Sequence, residues 1–458
     1  MKPRAGAVVF LFILLIIINI CQPVVAAFAS FSDVPQDYWA NAYIEQLKKL
    51  GYAQGWEDGS YKPEGQVTNA EFVAFVCRVS GMDDTRLDRG SHWAEPAMEY
   101  ARFMGWFTPV EIPVVKYDEP ISRELAAKIL MLALFKDKAS ETLPEQPGIR
   151  DLSEISEGCR EHVARAYSMG IFTGHPDGTF RPKASLTRAE AAAILCRALE
   201  QYPKAPAAGE SARVPILMYH HLSERPEDTS PQKFRRDMED LLRAGYTAVF
   251  LEDLYRFVAE GRRLPEKPVV VTLDDGYLSN YLYAWPVLKE LGMKAEIAVI
   301  GWSVGLSSDG NGGEIIPHFS WEQAAEMTRS GVIRINPHSF NMHEFSSDGP
   351  VSRLGVLKRP DESYREYIEA FVEDVKKIDS MIRLKLGYSS NVFVYPYGES
   401  STLTEKLLEN LGYSITLGTQ EGVNEIIQGY VSSLRLMKRI NADGYEGDIV
   451  KLIESHYN

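Results

Sequence analysis

The chain has 458 residues, 45% of them hydrophobic, and a formal net charge of −14. That length exceeds what one hydrophobic core supports and predicts two or three domains. The acidic balance disfavours nucleic acid as a partner and leaves no basic tail for anionic lipids.

Residues 1–29 read as a secretory signal: Lys2 and Arg4, an apolar stretch from Ala5 to Ile20, then Ala27-Phe28-Ala29 as the cleavage site. Ile20 is too large for a lipoprotein site at Cys21. The apolar stretch nearly spans a bilayer, so an uncleaved anchor is the alternative to export and cleavage. An internal repeat follows. Gly51, Gly105 and Gly170 each end a helical stretch, and seventeen residues after each stands a helix cap: Thr68, Ser122 and Thr187. Trp39 and Trp93 lie twelve residues before their glycines. Each unit is too small to bury a core alone, so three should pack together.

This pattern, with FSDV at 31–34 and GHPDGTFRPKASLTRAE at 174–190, resembles S-layer homology modules. The modules would span 30–83, 84–148 (degenerate) and 149–200. The resemblance implies an α-helical three-module repeat that grips secondary cell-wall polysaccharide, often bearing pyruvate ketals, and hence a secreted, wall-associated protein. Arg123 and Arg188 open helices in the second and third modules. A guanidinium at a helix N-terminus suits a carboxylate, although an isolated arginine there is more often simply solvated. The first module has Asn69 at that place, which predicts a weaker or dead groove. Cys77 and Cys196 share one repeat position on apolar helix faces, so they and Cys159 read as buried free thiols rather than a disulfide framework. Residues 201–211, QYPKAPAAGES, form a Pro/Ala-rich linker to a second half at 212–458.

In that half strands alternate with helices. Helices are predicted near 232–244, 251–259, 284–291, 321–329, 364–385 and 403–411. Strands are predicted at 246–250, 269–273, 295–300, 332–335, 391–395 and 413–417. The alternation implies a mainly parallel sheet, with chemistry at the strand C-termini. Long loops at about 301–317 and 344–362, rich in Gly, Ser and Asp, read as walls of a polymer groove.

The β-branched run Val269–Val271 ends in Thr272-Leu273-Asp274-Asp275-Gly276. Adjacent side chains of a strand point to opposite faces, so two neighbouring acids share a site only where the strand ends, and Gly276 lets it turn there. The same residues also fit a plain surface turn. Further on, Val332 to His343 reads as a short strand followed by His338 and His343. Five residues apart on one helix, their side chains would diverge by about 140°. They converge only through a loop, which Pro337 favours. Two imidazoles and a carboxylate make a common divalent-metal set with positions left open for water and substrate. The pairing with the Asp-Asp-Gly strand end favours that reading over a solvated histidine pair.

TLDDG, then HSFNMH, then Tyr395-Pro396-Tyr397-Gly398 together resemble the polysaccharide deacetylases, carbohydrate esterase family 4, over about residues 213–458. The resemblance implies a distorted (β/α) barrel and a metal-dependent N-deacetylase. In it Asp274 is the catalytic base, and Asp275, His338 and His343 hold the cation. Zn²⁺ is the default, and Co²⁺, Ni²⁺ and Fe²⁺ suit the same ligands. The five-residue histidine spacing resembles the branch acting on poly-N-acetylglucosamine of biofilms, which also begins with a strand ending in Tyr-His, here Tyr219-His220-His221. His220 is then the general acid, His221 a polar rim residue and a backbone N–H near Tyr397 the oxyanion donor. Tyr395, Tyr397 and Trp302 are candidate sugar platforms; Trp321 is expected in the core.

Two departures stand out. The late Leu-x-His acid of many members is missing, since the only histidine after Tyr397 is His456, third from the end. The arginine that usually precedes the Pro-Tyr motif is Val394, so nothing nearby supplies a counter-charge to Asp274. An inactive wall-binding protein is therefore the rival reading. Within the enzyme class peptidoglycan, chitin-like oligomers and xylan esters are the other substrates.

Overall fold

A computed structural model describes residues 31–83, 85, 87–135, 148–202, 209–308, 315–344 and 353–457. The signal and Cys21, most of the 201–211 linker and the middles of both long loops lie outside the described residues. Among those described, no helix is long and apolar enough to cross a membrane.

Among the described residues the N-terminal half has six α-helices in three pairs: α1 (Asn41–Lys49) with α2 (Asn69–Val79), α3 (Glu95–Phe103) with α4 (Arg123–Leu134), and α5 (Glu157–Ser168) with α6 (Arg188–Gln201). The predicted caps act as such. Thr68 with Glu71 and Thr187 with Glu190 form reciprocal capping boxes, and the Ser122 hydroxyl accepts from the Leu125 amide. The pairs close on one another in a ring. Val67 N–H donates to Leu186 O, Leu186 N–H to Ile121 O, and Ile121 N–H to Val67 O. Cys77, Cys159 and Cys196 are buried, and no disulfide joins any of them among the described residues, as expected.

The C-terminal half opens with β1 (Ser211–Val214), β2 (Ile216–Tyr219), α7 (Pro231–Arg243), β3 (Thr247–Ala248), α8 (Leu251–Glu260) and β4 (Pro268–Leu273). It continues through α9 (Trp285–Leu291), β5 (Ala295–Val299), α10 (Trp321–Arg329), β6 (Ile333–Pro337), α11 (Tyr364–Leu386), β7 (Val392–Val394) and α12 (Thr402–Asn410). It ends with β8 (Ile415–Leu417), β9 (Asn424–Ile427), β10 (Ile440–Asn441) and α13 (Ile449–Ser455). Strands β10-β2-β4-β5-β6 form one parallel sheet, with β3 also on β4; β7 and β8 form a separate parallel pair, and β1 pairs antiparallel with β9. Predicted helices and strands match to within a few residues. The short β1, β9 and β10 carry too little pattern to be read from sequence. Every residue of β4 is buried, as a continuous apolar run in a covered parallel sheet requires.

Candidate active site

β2, β4 and β6 are parallel and end on one side of their sheet, and the residues at and after those ends, with the turn after β7, build the site. After β4 the chain turns sharply: Asp275 and Gly276 both have positive φ, 70° and 81°. A Cβ on Gly276 would stand 2.9 Å from Val299 Cγ1, so only glycine fits there without displacement. The turn brings the Asp275 carboxylate to 3.5 Å from His338 Nε2 and 3.2 Å from His343 Nε2. One ligand atom from each of the three lies within 4.8 Å of the other two.

The loop carrying the histidines is held for that convergence. Ser339 takes positive φ (68°), and the amides of Phe340 and Asn341 both donate to the Asp374 carboxylate of α11, each at 2.7 Å. His338 Nδ1 lies 2.8 Å from Val394 O and must donate to it, which leaves the Nε2 lone pair facing Asp275. Burial pushes the His338 imidazole down to about 4, so it is neutral at physiological pH. Burial opposes the Asp275 charge, but hydrogen bonding to His343 and the charges of His338, His343 and His220 outweigh it, holding the carboxyl well below its ordinary range. An anionic oxygen and two imidazole nitrogens, oriented from behind, fit a divalent cation of the zinc class. His343 Nδ1 sits 3.2 Å from the Tyr397 hydroxyl, with ring centroids 4.6 Å apart. For Nε2 to face the cation, Nδ1–H donates to the hydroxyl. Tyr397→Phe is expected to weaken metal affinity by about tenfold, the low end for loss of such an outer partner, measured by chelator competition.

Asp274 is 1% exposed and points the other way from Asp275. Its missing counter-charge comes from Arg439, just before β10. Arg439 is fully buried, and its Nη1 stands 2.8 Å from both Asp274 oxygens, while Nε donates to Gly418 O at 2.7 Å. The sequence reading missed this arginine. At the end of β2, His220 Nε2 stands 3.8 Å from Asp274, and its Nδ1 is 2.6 Å from Asp443, a residue also missed. Burial disfavours the charged ring, but Asp443, Asp274 and Asp275 together raise His220 to about 9. The ring thus carries a proton at neutral pH, the state a general acid needs. Asp443→Asn removes the acceptor at Nδ1 and should move the alkaline limb of the activity profile toward neutral pH; a pH–rate series on both proteins reads this.

Other expectations need correction. Tyr395 is no sugar platform: it is fully buried, and its hydroxyl donates to Glu405 of α12 at 2.7 Å. Tyr397 is 38% exposed with φ 57°. Trp321 is in the core, as expected, and Trp302 is half-buried. His221 is half-buried against Ser279 and packs edge-to-face with Tyr277, which also neighbours His318. Beside this aromatic group lies a cavity of about 600 Å³ lined by His221, Leu278, Leu282, Tyr283 and Pro317.

In the helical half, Arg123 and Arg188 are not free helix-start cations. Both are about 95% buried, and each clasps the next copy. Arg123 donates to Phe180 O and Thr173 O, and Arg188 to Tyr61 O, Gln54 O and Glu71. Asn69 does the same on a smaller scale toward Lys116 O and Glu119 O. Two grooves lie over the arginines, one with Trp56, Trp93 and Arg78, the other with Trp39, His175 and Arg197.

Comparison with known proteins agrees with this layout. Residues 261–416 match the family model for polysaccharide deacetylase, and 30–73 and 148–192 match the S-layer homology domain. YxkH of Bacillus subtilis (strain 168), carried under the name of a polysaccharide deacetylase, is 30% identical over 250 residues, 54% of this chain and 80% of that protein. The poly-beta-1,6-N-acetyl-D-glucosamine N-deacetylase of Escherichia coli (strain K12) is 29% identical over 194 residues, 39% of this chain but only 29% of its own length. The solved structure of IcaB from Ammonifex degensii is 27% identical, covering 50% of this chain and 91% of its own, at a TM-score of 0.43. The extent of the match to YxkH carries the assignment: this chain belongs to the polysaccharide deacetylase family, and S-layer homology domains precede its catalytic half.

Proposed function

We propose that the chain is an exported, wall-tethered, metal-dependent deacetylase that hydrolyses N-acetyl groups of an N-acetylglucosamine polymer, poly-β-1,6-linked by preference. The observation that carries this is the convergence of Asp275, His338 and His343 beside a second carboxylate, Asp274, that is paired with Arg439 and lies 3.8 Å from His220. We read the strands around it as an open, distorted (β/α) barrel. A divalent cation in the three-ligand site, Zn²⁺ by default, supplies Lewis acidity toward the acetamide carbonyl and acidifies water.

The rest falls to the chain. Asp274, paired with Arg439 at 2.8 Å, takes the proton of the attacking water. The backbone N–H near Tyr397 serves the oxyanion. His220, steadied by Asp443, gives its proton to the departing amine nitrogen, leaving glucosamine and acetate. The cavity by His221, with Leu282 and Tyr283 on its rim, suits the apolar face of a neighbouring sugar. Residues 30–83, 84–148 and 149–200 are taken as wall-binding modules, in which the buried Arg123 and Arg188 floor two grooves for wall polysaccharide. The rival reading of an inactive wall-binding protein rested on a missing arginine and a missing acid. Arg439 and the His220–Asp443 pair weigh against it.

The test is acetate release by the metal-loaded chain from residue 30 onward, with Asp274→Asn and His338→Ala beside it. Release from poly-β-1,6-N-acetylglucosamine that both variants lose supports the full reading. Release from peptidoglycan or chitooligomers alone moves the substrate. No release from any of them, with metal bound, refutes the enzyme.

A further inference from the structure

The ring of three helix pairs should repeat one groove three times. Each of the two grooves described above uses four positions of the repeat. These are an aromatic residue twelve before the helix-ending glycine, and the first, third and tenth residues of the capped helix. In one groove they are Trp93, Arg188, Glu71 and Arg78; in the other, Trp39, Arg123, Glu190 and Arg197. By the same offsets the third set is Gly158, Asn69, Leu125 and Leu132. Every aromatic and charged group is gone, and the loss falls where the second pair forms the groove's main wall. The groove expected to be weak on the first module is this one, because Asn69 reaches across to the second.

The second pair is occupied elsewhere. Glu99 of α3, 5% exposed, accepts from Arg102 Nε at 2.6 Å and from Arg365 Nε and Nη2 of α11, each at 3.2 Å. Tyr364 donates its amide to Glu95 at 3.2 Å and its hydroxyl to Asp88 O at 2.9 Å. Asn410 of α12 donates to the Tyr100 hydroxyl at 3.0 Å. Beneath these bonds a single apolar cluster runs from the helical half into α11, β7 and α12. Halves joined only by a linker would move independently; a buried, charge-paired and apolar contact resists that.

The contact continues toward the metal site. Lys358 pairs with Asp88 at 3.3 Å. Its segment, 353–362, is pinned by the buried Arg353–Glu362 pair at 2.8 Å and by Tyr367 donating to Val356 O at 2.8 Å. At its start Gly355 N–H donates to Glu344 O at 2.9 Å, next to His343. A Cβ on Gly355 would lie 2.7 Å from Pro396 O, so the segment also presses on the turn that carries Tyr397.

We propose that the second helix pair has exchanged wall binding for docking: it braces segment 353–362 against His343 and Tyr397, so the metal site is fully formed only in the docked chain. Tethered and catalytic halves then act as one body.

The test inserts a protease site within 203–208 of the full chain and cuts it. The halves should co-elute after cutting. Glu99→Arg should release them, speed amide exchange in 353–362 and weaken Zn²⁺ affinity about tenfold. The charge swap Glu99→Arg with Arg365→Glu should restore all three. Arg365→Glu alone tests the same contact from the catalytic side if Glu99→Arg fails to fold. Three results overturn the proposal: cut wild-type halves that separate, Glu99→Arg halves that stay together, or released halves with unchanged exchange and affinity. None of these readouts uses turnover, so they stand apart from the deacetylase reading.

Discussion

Asp274→Asn is expected to lower turnover by about 10²–10⁴-fold, the usual worth of a positioned proton acceptor, with metal affinity close to native. Asn keeps the shape and one acceptor oxygen but cannot take a proton, and Asp274 is not among the three converging ligands. Arg439→Met should act on the same step by another route. It leaves a carboxylate that is 1% exposed without its cation, which costs about 3–5 kcal/mol of stability. The acceptor carboxylate also loses the partner that positions it, so turnover falls as well. The double variant removes both charges and should be less unstable than the sum of the singles, because the two residues share one interaction at 2.8 Å. Denaturant unfolding and acetate release on the four proteins read this cycle. Native turnover in Arg439→Met would mean that Arg439 does not position the proton acceptor.

What the sequence disclosed about this site was its local part. Asp274, Asp275, His338 and His343 sit at the ends of strands long enough to show their pattern, and the turn residues beside them mark where side chains can converge. Arg439 and Asp443 flank β10, two residues long, and reach the site because β10 lies parallel beside β2. Arg439 is 165 residues from the carboxylate it pairs with, and only the sheet order brings them together. An Arg and an Asp bracketing Ile440-Asn441-Ala442 was the available signal, and it is a faint one. Tyr395 misled for a different reason. In an extended strand residues 395 and 397 would share a face, but the Pro-Tyr-Gly turn and the positive φ of Tyr397 break that parity. The helix caps fixed where Arg123 and Arg188 begin their helices. Which carbonyls they would clasp depends on the closure of the ring, which no single copy contains.

His338→Ala is expected to abolish tight metal binding and turnover together, a loss beyond the roughly 10–100-fold typical of an outer partner. A cation that binds only the folded chain stabilises it, by about 2.7 kcal/mol at a hundredfold excess over its Kd. Added Zn²⁺ should therefore raise the thermal transition of the native protein and leave that of His338→Ala nearly unmoved. The titration of this ring gives a second, metal-free readout. Its folded value is about 4 against the ordinary 6.5, so between those values the unfolded chain binds a proton that the folded chain refuses. Stability of the metal-free protein should accordingly fall as pH drops from about 6.5 toward 4. His338→Ala should lose that part of the slope, since alanine takes up no proton in either state. An equal slope in both proteins would mean that His338 is not held neutral by its burial against Val394. The lone pair assigned to the cation would then lose its physical basis.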